Sequence, residues 1–105
     1  MNILSITFHV EQHIIPLWEN FMQSDIVEYI KNNNLTDKYI LSKLVNDIQE
    51  NGGNYNIILL FKEQKTKNTF DLEKLPLLRE IIQNKFPNQE VIIFVTNLDI
   101  LSQNF

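Results

Sequence analysis

The chain has 105 residues, 44% of them hydrophobic and 21% charged, the balance of one ordinary globular domain with a modest core. It holds no cysteine, which excludes a disulfide framework, a thiolate zinc site and a cysteine nucleophile. A formal net charge of −4 repels phosphate backbones and argues against nucleic acid as a partner.

The first element, Ile3 to Val10, alternates: Leu4, Ile6, Phe8 and Val10 share one face, while Ser5, Thr7 and His9 share the other with Ile3. That period of two predicts a half-buried strand. From Ile14 to Asn33 the period lengthens. Leu17, Trp18, Phe21, Met22, Ile26, Tyr29 and Ile30 form an apolar helical stripe, with Pro16 suited to the first turn and Asn32-Asn33-Asn34 ending the helix. Lys38 to Val45 reads as a second strand of mixed pattern, its two faces unassigned.

Gly52 and Gly53 are the only glycines, and they fall where a chain reversal calls for positive φ. They predict an antiparallel hairpin into a third strand, Tyr55 to Phe61, whose Ile57-Ile58-Leu59-Leu60 is apolar on both faces. The stretch Lys62-Glu63-Gln64-Lys65-Thr66-Lys67 reads as a solvated loop, leading to Asp71 as a helix cap or first-turn acid. Leu75, Leu78, Ile81, Ile82 and Phe86 predict a second helix over Leu72 to Phe86, with Pro76 as its true start or a kink and Pro87 as its stop. Glu90 to Leu98, containing Val91-Ile92-Ile93-Phe94-Val95, is the most apolar strand.

The order β-α-β-β-α-β fills residues 1–105 as a single domain. It predicts a ferredoxin-like α+β sandwich: a four-stranded antiparallel sheet, strands one and three central, with two helices on one face. Strand four then lies at an edge, and the helix-free face receives apolar side chains that water does not favour. A homodimer packed through the sheet is the simplest remedy, with Ile93 and Phe94 as candidate interface residues.

The residues also resemble a known family. The opening strand Ile3–Val10, Trp18-x-x-Phe21-Met22-x-x-x-Ile26, Gly52-Gly53-x-Tyr55, Lys85-Phe86 and Phe94-x-Thr96-x-Leu98 together resemble the bacterial domain-of-unknown-function family 4286. The resemblance implies a ferredoxin-like domain similar to the dimeric α/β barrels, and no established activity. The family's pattern carries a His where this chain has Asp25, and a Pro where it has Val27. Chemistry built on that His does not carry over.

Each candidate site has a plainer structural reading beside it. His9-x-Glu11-x-His13 has metal-ligand residue types, but a strand end followed by a helix start does not bring both imidazoles to one point, so no metal site is expected. His9, with Ser5 and Thr7, forms a polar stripe on the helix-free face and is the one candidate catalytic base; the plainer reading is an interfacial hydrogen bond. Trp18, Phe21 and Met22 could line a ligand pocket between helix and sheet, but the same spacing makes a core stripe. Asp25 with Glu28, and Asp71 with Glu73, read as solvated charge.

The expectation is a homodimeric binding or assembly module with no cofactor, rather than an enzyme. The alternatives are a cofactor-independent oxygenase or isomerase of the dimeric-barrel type, or a sensor holding a small-molecule ligand at the dimer interface. Met1-Asn2-Ile3-Leu4 has no leader pattern, and no apolar run approaches the roughly 20 residues that cross a bilayer. With no cysteine, these features fit a cytoplasmic protein without a membrane partner.

Overall fold

The computed structural model describes residues 2–33, 36, 38–45 and 52–104. Strand β1 (Asn2–Val10) alternates as its sequence does: Leu4, Ile6, Phe8 and Val10 are fully buried, and the residues between them are half-buried on the other face. Strands β2 (Lys38–Lys43), β3 (Gly53–Phe61) and β4 (Val91–Asp99) complete a four-stranded sheet of order β2-β3-β1-β4, antiparallel throughout. The central strands are therefore β1 and β3, as the topology predicts. Strand β2 is shorter than its apolar content suggests, and Leu44 and Val45 lie beyond it in solvent.

Helix α1 runs over 15–33. Its α-helical parts, Ile15–Phe21 and Val27–Asn33, are joined by a π turn at Met22–Ile26, and the backbone stays right-handed helical through both joints. Asn33 is its last residue, and Asn34 lies outside the described residues. Trp18, Phe21, Met22, Ile26 and Ile30 face the sheet, whereas Leu17, one residue off that stripe, is exposed.

Helix α2 corrects two expectations. It begins at Gln64 rather than Leu72, as α-helix Gln64–Thr69, a π turn Phe70–Lys74 and α-helix Leu75–Lys85. Lys65 and Lys67 thus belong to a helix, with Lys67 buried, and Asp71 sits inside the helix rather than capping it. Two physical causes account for this. Phe70 is buried against Phe61 at 5.8 Å between centroids, which anchors an otherwise polar turn to the core. Pro76 cannot donate a backbone hydrogen bond, and the wide π turn just before it lets the helix continue past that missing donor.

Both helices pack on one face of the sheet, where Leu4, Ile6, Phe8 and Val10 of β1 and Tyr55, Ile57, Leu59 and Phe61 of β3 form a single core with them. Gly52 stands where β3 starts, at φ +108°, and a Cβ there would lie 2.3 Å from the carbonyl oxygen of Val10. The glycine is needed for its backbone angle and for this close approach, which locks the hairpin onto the end of β1. Among the described residues, no helix is long and apolar enough to cross a membrane.

Candidate functional site

The strand register places the second face of the sheet residue by residue. Ile3, Ser5, Thr7 and His9 of β1 stand opposite Leu60, Ile58, Asn56 and Asn54 of β3, and opposite Leu98, Thr96, Phe94 and Ile92 of β4. Ile40 joins them across from Ile58. Among the described residues no helix packs on this side, and the result is a polar strip between two apolar margins. The margins are wet: Ile40 is 56% exposed, Ile92 51%, Phe94 57% and Leu98 43%.

Within the strip the polar groups are tied together. The Asn56 side-chain amide donates to Ser5 Oγ at 2.9 Å, Thr7 Oγ1 at 3.1 Å and the Ile6 carbonyl at 3.3 Å. His9 Nδ1 pairs with Asn54 Oδ1 at 2.8 Å. The tautomer that donates Nδ1–H to Asn54 Oδ1 carries its lone pair on Nε2. His9 also lines a pocket of about 410 Å³ at the end of the strip, with Glu11, Gln12, His13, Gln89, Glu90 and Ile92.

Of the two residues expected at an interface, Phe94 lies on this open face and Ile93 does not. Ile93 packs against the helix-side core, opposite Phe8, and Ile92 takes its place among the exposed residues. A strand apolar at every position leaves its register undecided until it is paired with β1.

Trp18 and Phe21 lie in the core. The Trp18 ring is fully buried, 5.1 Å from Phe8, 6.0 Å from Phe21, 6.1 Å from Tyr55 and 5.9 Å from Phe86, and its Nε1–H has no acceptor among the described residues. Met22 is buried as well but reaches a separate pocket of about 330 Å³, with Glu19, Gln23, Leu41, Ser42, Lys43 and Tyr55. There the Tyr55 hydroxyl donates to Glu19 Oε2 at 2.6 Å and Lys43 Nζ donates to the same oxygen at 2.7 Å. The hydrogen bonds from Lys43 and then Tyr55 hold the Glu19 carboxyl below its usual range, while burial first and Glu19 second push the Tyr55 phenol well up. The sequence carries no signal for this cluster, because its members are 24 and 36 residues apart on three elements.

His9 and His13 take different partners. His13 Nε2 pairs with Glu90 Oε2 at 2.6 Å, and its Nδ1 lies 3.5 Å from Glu11 Oε2. Glu90 was invisible to sequence reading because it precedes β4, 77 residues from His13.

A four-stranded sheet of this order with both helices on one side defines the ferredoxin-like fold, the fold of the dimeric α/β barrels. Residues 1–101 match the family described as a domain of unknown function, DUF4286, and the chain belongs to that family. No curated protein matches the sequence. Among solved structures the chain is similar to HapK from Hahella chejuensis, at a TM-score of 0.68 and 6% identity over 100% of this chain and 97% of that one. It is similar to an ethyl tert-butyl ether d family protein from Bacillus halodurans, at 0.65 and 6% identity over 91% and 97%. It is also similar to a dimeric ferredoxin-like protein from an uncultured marine organism, at 0.56 and 12% identity over 100% and 99%.

Proposed function

We propose that this protein is a homodimeric binding or assembly module in which the open sheet faces of two copies pack together. The carrying observation is the placement of Ile40, Ile92, Phe94 and Leu98, all exposed on the sheet face opposite the two described helices. Sheet spacing makes that face about 19 Å wide and about 30 Å long, roughly 570 Å² in projection. Side-chain relief adds to this, toward the roughly 800 Å² per partner of a stable interface. The similar marine protein is described as a dimer, which supports the reading. Packing two such faces together would shelter the His9, Ser5, Thr7, Asn54 and Asn56 strip between subunits, where a small-molecule ligand has polar partners.

The test is light scattering on a size-exclusion column for wild type and Phe94→Asp. A wild-type dimer and a folded Phe94→Asp monomer are expected. A wild-type monomer at tens of micromolar, or a dimer indifferent to Phe94→Asp, would sink the reading.

One observation favours a second reading, a cofactor-independent oxygenase or isomerase: His9 is oriented by Asn54 through Nδ1 beside a pocket, which leaves Nε2 as the ring nitrogen that could meet a substrate. Turnover abolished by His9→Gln in a folded dimer would favour the enzyme over the assembly module.

A further inference from the structure

We propose that Glu11, His13 and Glu90 form a binding site for one divalent cation of the Zn²⁺ type at the end of the sheet. Two stretches of chain deliver the donors, Glu11 to His13 after β1 and Glu90 before β4. Glu11 follows β1 in extended conformation, His13 sits in the 3-10 turn Gln12–Ile14, and Glu90 directly precedes β4. The backbone fixes their spacing, because Glu11 N–H donates to the Glu90 carbonyl at 3.0 Å and Ile14 N–H donates to the Glu11 carbonyl at 3.2 Å.

One ligand atom from each side chain lies within 4.8 Å of the other two. Tetrahedral zinc with bonds of about 2.0–2.2 Å holds its ligand atoms roughly 3.4 Å apart. Changes in separation of up to about 1.4 Å therefore reach that geometry, with the His13–Glu90 pair opening from 2.6 Å. A cation at Nε2 would replace the proton that His13 and Glu90 share, and the exposed Glu11 side chain has room to turn toward it.

The burial of Glu90 also favours a cation here. Glu90 is only 8% exposed, and among the described residues His13 is its carboxylate's hydrogen-bond partner. A carboxylate so nearly buried is costly unless its charge is matched. His13 supplies at most one positive charge against two carboxylates. The remaining described lining of the pocket, His9, Gln12, Gln89 and Ile92, adds no Lys or Arg. A doubly charged ion corrects that deficit, and the pocket of about 410 Å³ leaves a coordination position for water or a small ligand. One imidazole nitrogen with two carboxylate oxygens suits zinc or a similar first-row ion, not Mg²⁺ or Ca²⁺, which take oxygen donors alone. All three donors come from one chain, so the site does not depend on the dimer.

The experiment is calorimetric titration of the untagged, chelator-treated full chain with ZnCl₂, followed by visible absorption with Co²⁺. One ion per chain is expected, with ligand-field bands of a nitrogen and oxygen site and no competition from Mg²⁺. His13→Asn and Glu90→Gln should each weaken binding about tenfold or more. Circular dichroism on the metal-free variants checks their folds; His13 is largely exposed, so His13→Asn keeps the test valid if Glu90→Gln disturbs the strand. No saturable binding below millimolar Zn²⁺, or affinity unchanged in a folded His13→Asn, would overturn the proposal.

Discussion

Toward the helices, β1 presents Leu4, Ile6, Phe8 and Val10 with none of them exposed, and β3 adds Tyr55, Ile57, Leu59 and Phe61. Toward the open side, the same two strands present Ser5, Thr7, His9, Asn54 and Asn56, knotted by side-chain hydrogen bonds and flanked by wet hydrocarbon from β2 and β4. The first face is filled to exclude water and is explained by folding alone. Folding does not explain the second. A lone sheet surface needs neither four exposed apolar residues at its margins nor an ordered polar strip between them, and both features suit the subunit contact proposed above.

The largest expected effect belongs to the filled face. Trp18 touches four aromatic rings, and Trp18→Ala should cost about 3–5 kcal/mol in urea denaturation. Trp18→Phe should cost markedly less, about 1–2 kcal/mol, because it leaves a smaller cavity and the indole N–H has no acceptor among the described residues to lose. Equal losses for the two variants would show that volume is not what holds this face.

Adjacent residues of β4 then separate the two faces directly. Ile93→Asp places a charge against the core and should cost about 2–3 kcal/mol of monomer stability. Phe94→Asp, one residue on, should change monomer stability by no more than about 0.5 kcal/mol. Denaturation of both variants at low protein concentration, where a dimer dissociates, makes the comparison. Matching losses would mean that the faces are not as distinct as their burial implies.

Sequence reading went furthest where one element carried its own pattern. The alternation of β1 identified its buried face residue by residue, and the element order identified the fold. It failed where meaning lies in pairing. Val91-Ile92-Ile93-Phe94-Val95 has no polar residue to mark which parity faces water, so only its register against Ile6, Phe8 and Val10 sends Ile93 inward and Phe94 outward. Polar residues 64–69 looked like loop because their helix depends on Phe70 meeting Phe61. His9 was legible as part of a polar stripe on the open face. Its partner Asn54 in β3, and the partner of His13, Glu90 just before β4, come from distant parts of the chain that no local spacing can bring together.

The smallest expected effect lies at the edge of the filled face, where Glu19 joins α1 to β2 and β3 through Lys43 and Tyr55. The Glu19 carboxyl is depressed in the fold from an ordinary value of 4.5, so its contribution is fully present above that pH and is lost as pH falls through the folded value. The Tyr55 phenol is raised from 10.0, so its contribution holds below that pH and is lost as pH climbs toward the folded value. Glu19→Gln weakens both hydrogen bonds and should cost about 1 kcal/mol at neutral pH. The gap between wild type and Glu19→Gln should begin to narrow on acidification below about pH 4.5 and close once the pH is below the depressed folded value, where both side chains are neutral. Lys43 is more than half exposed, so Lys43→Met should cost less, about 0.5 kcal/mol, and its effect should fade in high salt. A wild-type advantage over Glu19→Gln that stays flat from neutral pH into the acid range would show that Glu19 acts by its shape alone. A flat profile would leave Tyr55 as a packing residue, held by Trp18 and the strand rather than by charge.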